Sequence, residues 1–321
     1  MTVTSITPEI PRDRWSRPLV VPPNGGKGVP YTRCTTFVKV IEDTYNLGRW
    51  MNRMTALGLS ERPDLLLAVG AHRDDKTKLN KICEDAQEAA KAHAAATTGT
   101  ALHALTERID RGQDVGVVPD AYLADLRAYE EATKDLTATH IEQFCVLDNL
   151  QIGGTPDRVV KYQGKRYIAD VKTGTIEYGA LAIAMQLAVY ARSNTYDHTT
   201  GQRGLHDADL QRGIVIHLPA GTGTCELKWV DLEQGWNAVR VARDVREKRK
   251  LKYGDLMSPF NAALEVPTEP APEPPVDLAA LIAQCPTDDA VRRLWAAHAD
   301  KWDDTLTEAA RAHIAALQAA S

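Results

Sequence analysis

The sequence predicts a mixed α/β fold, and three observations carry that expectation. A long helical stretch comes first: from about Thr36 to Ile109, apolar residues recur near helical spacing with an interruption at Pro63. Five short β-favouring runs follow, at Ile141 to Leu147, Asp157 to Tyr162, Lys165 to Thr173, Gly213 to Leu218 and Glu226 to Val230. Helical patterns are interleaved with them in the order three strands, helix, two strands, helix, which is not the regular alternation of a doubly wound sheet.

In chain order, residues 1–30 are rich in proline and glycine without periodicity and predict an extended N-terminal arm. Asn24-Gly-Gly-Lys-Gly28 lacks the GxxxxGK(S/T) spacing and the preceding strand of a phosphate loop. The main domain is expected over 31–262, with a helical part at 36–133 and a part containing the sheet at 140–252. In the helical part an alanine-rich run from Ala86 to Ala96 is interrupted by Thr97, Thr98 and Gly99, which cap a new helix through Ile109. A further helix is expected from Ala121 to Thr133. Within the later part, helices are expected from Tyr178 to Ser193 and from Leu232 to Lys250. Residues 263–276, with Glu265 to Val276 reading EVPTEPAPEPPV, predict a stiff linker. Residues 277–321 predict a small all-α appendage of three short helices, around Leu278 to Ala283, Asp288 to Ala297 and Thr305 to Leu317, marginal in stability on its own.

Composition narrows the class. The chain has 321 residues, 44% hydrophobic and 25% charged, which supports a packed core and argues against wholesale disorder. No run approaches the roughly 18 apolar residues of a membrane span, and the N-terminus lacks a signal-peptide layout, so a cytoplasmic protein with no membrane partner is expected. The five cysteines form no CxxC pair, which points away from a zinc ribbon or a disulfide framework. Net charge is -5, yet ten acidic and four basic residues from Ala262 to Ser321 give that segment -6 and leave residues 1–261 at +1. The overall acidity therefore does not exclude a nucleic-acid partner for the main body.

The chemistry concentrates in Gly153-Gly-Thr-Pro-Asp157 through Asp170-Val171-Lys172. Two β-favouring runs flank Gln163-Gly164, a two-residue hairpin turn in which glycine supplies a positive φ. With that turn Tyr162 opposes Lys165 and Asp157 opposes Asp170, on one face with Cβ atoms about 5 Å apart. Two bare carboxylates so placed repel by roughly 3 kcal/mol at an effective dielectric of 20. A divalent cation such as Mg²⁺ relieves that repulsion and keeps water and phosphate as its other ligands. Lys172, on the same side, would orient a bound water or stabilise a phosphorane. The alternative is a surface hairpin whose acids are solvated separately or paired with Lys172 and Arg158. A glycine bulge would also slip the register.

These residues resemble a known signature: Pro156-Asp157, then Asp170-Val171-Lys172, is similar to the PD-(D/E)xK motif. Gly99-Thr-Ala-Leu-His103 is similar to the GxxxH motif, and Gln186-Leu-Ala-Val-Tyr190 to the QxxxY motif, of the RecB-like branch that includes Cas4-type and phage recombination exonucleases. The resemblance spans roughly Arg33 to Lys250. It implies a restriction-endonuclease-like core, with His103, Asp157, Asp170 and the Val171 carbonyl holding one or two Mg²⁺ or Mn²⁺ ions and products with 5′-phosphates. Glu142, sharing a strand face with Phe144 and Val146, is a further candidate acid near the metals, or equally a salt-bridge partner. Gln186 and Tyr190, spaced i, i+4 on one helix face, would position the DNA strand. Arg158 and Lys165 on the hairpin, and Arg246, Lys248 and Arg249 in the last helix, are candidate contacts to the DNA backbone, although a charge run also suits a solvated helix face. Many relatives hold an iron-sulfur cluster with one early and three grouped late cysteines. Here Cys34 is early but Cys225 is the only late cysteine before the linker, so no cluster is expected.

The expected function is a metal-dependent DNA exonuclease in recombination or repair, acting in the host cytoplasm if phage-encoded. The alternatives are an endonuclease, or a catalytically idle module that binds DNA ends or recruits a recombination protein. The C-terminal helices are a candidate docking site for a strand-annealing recombinase.

Overall fold

The computed structural model describes residues 10–92, 94–260 and 277–319. From residue 10 the expected N-terminal arm is instead packed into the protein. Strands β1 (Leu19–Val20) and β2 (Val29–Pro30) pair antiparallel, and β3 (Thr32–Arg33) joins a larger sheet. The reason is apolar: Ile10, Val20 and Tyr31 are buried against Phe144, Val146 and Tyr196. Residues 1–9 lie outside the described residues.

The region expected to be helical divides into α1 (Cys34–Val38), α2 (Tyr45–Glu61), α3 (Pro63–Ala71), α4 (Lys76–Ala89) and α5 (Ala94–Asp110), followed by α6 (Asp120–Thr133). Pro63 does more than break α2, because it occupies the first turn of α3, where a missing N–H costs nothing. Asp75 caps α4 by accepting from the Thr77 and Lys78 amides. Thr97, Thr98 and Gly99, expected to begin a helix, lie inside α5, which has already started at Ala94. The local preference of two threonines and a glycine is overridden by the helix they continue.

Ten chain segments then build two sheets and their covering helices. They are β4 (Thr137–Ile141), β5 (Cys145–Leu147), β6 (Ile152–Gly154), β7 (Arg158–Tyr162), β8 (Lys165–Lys172), α7 (Ala180–Ala191), β9 (Asn194–Tyr196), β10 (Arg203–Gly204), β11 (Arg212–His217) and β12 (Glu226–Asp231), followed by α8 (Leu232–Lys248). The central sheet has the order β12-β11-β8-β7-β4. Its β8 and β11 run parallel and its other neighbours antiparallel, so α7 serves as the crossover between the parallel pair. The second sheet has the order β10-β9-β5-β6-β3. The result is the mixed α/β architecture expected from the sequence, but the second sheet was not expected: its strands have two or three residues and leave almost no alternation to read.

One expected strand is corrected. Ile141 to Leu147 is two strands in two different sheets, β4 in the central one and β5 in the other. The break falls at Glu142, whose φ of 51° places it in the left-handed region. Glu142 therefore does not share a strand face with Phe144 and Val146.

Alternation along the central strands sorts the core. Val159, Ile168 and Val215 face α1, α7 and α8, packing with Phe37, Leu187, Val189 and Val239. Val160, Tyr167, Ala169, Val171 and Ile214 face the opposite way, toward Tyr129 of α6. The α7 and α8 helices approach closely because Gly235 lacks a side chain. A Cβ there would fall 2.2 Å from the Ala184 carbonyl oxygen. Gly235→Ala is accordingly expected to cost about 3 kcal/mol, read as a lower urea midpoint, because the obstacle is backbone and cannot rotate away.

The first compact unit ends at Lys252 and a second covers Tyr253–Ser321, rather than dividing at 262. The second contains α9 (Tyr253–Leu256), α10 (Leu278–Gln284), α11 (Asp288–Ala297) and α12 (Asp304–Ala319). Asp277 caps α10 and Thr287 caps α11, while Ile282, Val291 and Ala310 form a small core with Leu294, Trp302 and Ile314. The expected linker at 263–276 lies outside the described residues. No helix among the described residues is long and apolar enough to cross a membrane.

Candidate active site

The hairpin that carries the acids closes through Gln163 and Gly164, both at positive φ (47° and 82°), the two-residue turn whose twist matches antiparallel strands. Its ladder pairs Tyr162 with Lys165 and Arg158 with Ala169, the expected register, so Asp157 lies opposite Asp170 just beyond the last ladder pair. There a side chain takes over from the main chain: the Val171 N–H donates to Asp157 Oδ2 at 2.8 Å. Asp170 shares the face of Ile168, two positions back, and thus points toward α7.

Three side chains converge on the two acids at this end of the hairpin. Lys172 Nζ forms an ion pair with Asp170 Oδ2, and Gln186 of α7 reaches Asp170 Oδ1 at 3.5 Å. His103 of α5 brings its Nδ1 to 3.4 Å from Asp157 Oδ2. Asp170 is 2% exposed, and the Lys172 ammonium lies against its Oδ2. Gly99 lets α5 come close enough: a Cβ there would sit 2.6 Å from Thr173 Oγ1, immediately after Lys172. An open groove of about 540 Å³, lined by Gly99, Thr100, His103, Thr173 and Gly174, runs beside the acids.

The electrostatics are those of an overcrowded acidic site. Burial pushes the Asp170 carboxyl up to about 6, and the neighbouring Asp157 charge adds to it, outweighing the attraction of Lys172. Burial also raises Asp157, against the Val171 N–H and the Lys172 and Arg158 charges. Glu142, whose N–H donates to the Asp157 carbonyl at 3.0 Å, is pushed up to about 7 by burial and then by the Asp157 and Glu107 charges. Burial lowers His103, so its imidazole is neutral at neutral pH and keeps a free lone pair.

Two carboxylates that resist ionising together, beside a neutral imidazole, suit a hard divalent cation. The carboxylate oxygens of Asp157 and Asp170 and the imidazole nitrogen of His103 make up such a donor set. Among the described residues no three His, Cys, Asp or Glu side chains gather closely enough to encircle an ion unaided. Main-chain, water and substrate oxygens would therefore complete the coordination.

Several expected DNA contacts are placed differently. Arg158 is 2% exposed and points away from solvent, into contact with Asp110 and Thr106, so it is no surface contact. Tyr190 is also buried, with its hydroxyl packed against Gly154, so it lies one turn behind Gln186 rather than facing a strand. Lys165 sits at the hairpin tip, five residues from Asp170 and hence about 17 Å away. Arg246 donates to Thr32 Oγ1 and Arg249 to the Val40 carbonyl, both on the N-terminal side of the chain, while Lys248 stays exposed in the last turn of α8. Cys34 is buried, its thiol pushed up to about 12 by burial.

The sequence reading missed Thr106 and Asp110. They follow His103 at i+3 and i+7, and that spacing on one helix face was the available signal. No protein-family model matches the chain, and no curated protein matches it significantly.

Proposed function

We propose that this chain is a Mg²⁺- or Mn²⁺-dependent deoxyribonuclease of the RecB-like PD-(D/E)xK kind, hydrolysing phosphodiester bonds at DNA ends in cytoplasmic recombination or repair. The observation that supports it best is the buried pair Asp157 and Asp170, each pushed toward its protonated form, with the Lys172 ammonium on one and the His103 imidazole on the other. His103, Asp157, Asp170 and the Val171 carbonyl would hold the ion. Glu142, within the reach of the Asp157 charge, is available to a second one. When bound, the cation supplies Lewis acidity toward a phosphoryl oxygen and makes a neighbouring water more acidic.

The protein's own groups do the rest. Lys172 would orient the attacking water and stabilise the charge that grows on the phosphorus oxygens. The Gln186 amide, beside Asp170 Oδ1, would hold either that carboxylate or a phosphate oxygen in place. Because Tyr190 is buried behind it, a direct strand contact is proposed only for Gln186. The groove between Gly99 and Gly174 offers the strand a path past His103.

The test is digestion of end-labelled linear duplex and single-stranded DNA with Mg²⁺, beside closed circular DNA. Cleavage of linear DNA alone is the expected result. Nicking or linearisation of the circles would make the activity endonucleolytic. Saturating DNA binding with no cleavage in Mg²⁺ or Mn²⁺ would leave only an idle end-binding module. The C-terminal unit is proposed as a docking module for a strand-annealing recombinase, an idea removed if deleting residues 266–321 leaves the pull-down of such a partner unchanged.

A further inference from the structure

We propose that Arg158 is a positioning residue, locking the His103 helix against the Asp157 strand so that the two ligands meet; this rests on the metal-site reading above. Arg158 directly follows Asp157 but points to the opposite side of β7, where it is 2% exposed. Its Nη2 donates to Thr106 Oγ1 at 2.9 Å and its Nε pairs with Asp110 Oδ2. Both partners belong to α5, one and two turns beyond His103 and on the same face of the helix.

The network is closed on its other sides. The Thr106 hydroxyl donates to the His103 carbonyl at 2.9 Å, which turns its lone pairs toward the guanidinium. The Tyr129 hydroxyl donates to both Asp110 oxygens at 2.9 Å, and the Arg158 guanidinium lies over the Tyr129 ring, 5.6 Å from its centroid. A guanidinium is planar, so its Nε and Nη2 hydrogens fix two distances at once, which an ammonium cannot do. Sliding or rotating α5 by one residue would leave a buried charge without its partners. The rotation of α5 sets where His103 reaches, and the start of β7 sets Asp157. Arg158 joins the two elements directly behind the point where those side chains meet. Its charge also favours the ionised form of Asp157 and Glu142, as a fixed cation under an acidic cluster should.

A buried ion pair that merely stabilises the fold would leave metal affinity unchanged in a variant that still folds. Titration calorimetry with Mn²⁺ alone, on the full chain, separates the two roles. Arg158→Lys keeps the charge without the fork, Thr106→Val keeps the shape without the acceptor, and Thr106→Ser keeps the acceptor. R158K and T106V, folded by circular dichroism, are expected to take up Mn²⁺ about 10- to 100-fold more weakly than the wild type, and T106S to match it. Wild-type affinity in T106V, or in a folded R158K, overturns the assignment, as does a T106S as weak as T106V. Should the wild type itself take up no Mn²⁺, the metal-site reading falls and this inference falls with it. Uptake by the wild type with unaltered variants removes this inference alone.

Discussion

Replacing Lys172 by alanine is expected to slow Mg²⁺-dependent DNA cleavage by about 10² to 10⁴-fold, with metal uptake and fold intact, measured in single turnovers on end-labelled DNA. The loss corresponds to about 3 to 5 kcal/mol of transition-state stabilisation. Lys172 is only about a quarter exposed and lies against Asp170 Oδ2, so its ammonium is held where the proposed reaction would develop charge rather than sampling solvent. Alanine removes that charge but leaves both acids and His103 untouched, and Mn²⁺ should still bind. Arginine is not expected to rescue the rate, because its wider, permanently protonated head differs in both shape and acidity. Robust cleavage by K172A would contradict the proposed role of the lysine.

Asp170→Asn is expected to abolish the thermal stabilisation by Mn²⁺ and cleavage with it, while leaving the metal-free protein at pH 7 at least as stable as the wild type. The sign follows from the direction of the shift. Asp170 is raised to about 6 in the folded chain, so the folded state holds a proton that the unfolded state, near 4, releases first. The stabilisation from that proton is complete below about pH 4 and is lost as pH rises to about 6. At neutral pH the ionised carboxylate is therefore a burden on the metal-free fold, of the order of 1 to 3 kcal/mol, and asparagine lifts it. Melting curves with and without Mn²⁺ at pH 5 and pH 7.5 provide the check. A D170N protein still stabilised by Mn²⁺, or one much less stable than the metal-free wild type at pH 7.5, would count against the arrangement of the site.

Seen together, these expectations describe a site whose acids are costly until an ion arrives. Burial raises Asp157, Asp170 and Glu142 alike, and the Val171 N–H, Lys172, Arg158 and Arg111 offset it only in part. Under the proposed function, that arrangement would trade stability for activity.

Much of this was legible beforehand because it depends on short sequence separations. Six residues on either side of Gln163-Gly164 place Asp157 opposite Asp170, and the period of two along β8 puts Lys172 on the same side as Asp170. The spacing of Gln186 and Tyr190 correctly put them on one helix face, yet it could not tell that Tyr190 lies beneath the surface and Gln186 at the acid. Charge was an equally poor guide to exposure. Arg158 and Lys165 are both basic residues of the same hairpin, but one is clamped under α5 and the other sits at the tip.

Sequence alone determined the mixed α/β class, the hairpin register and the acid pair, because turns and strand alternation act between neighbours in the chain. Tertiary structure alone decided the switch of sheets at Glu142, the second sheet that takes in the N-terminal segment, and the seating of α5 on Arg158. Glu142 is neither glycine nor proline, and nothing local marks it as a break. It adopts a left-handed backbone because β4 and β5 find their partners in separate sheets, a demand set by segments far away in sequence. Burial has the same origin: whether an arginine or a tyrosine meets solvent depends on what distant chain packs over it, and that area is fixed only when the whole core closes.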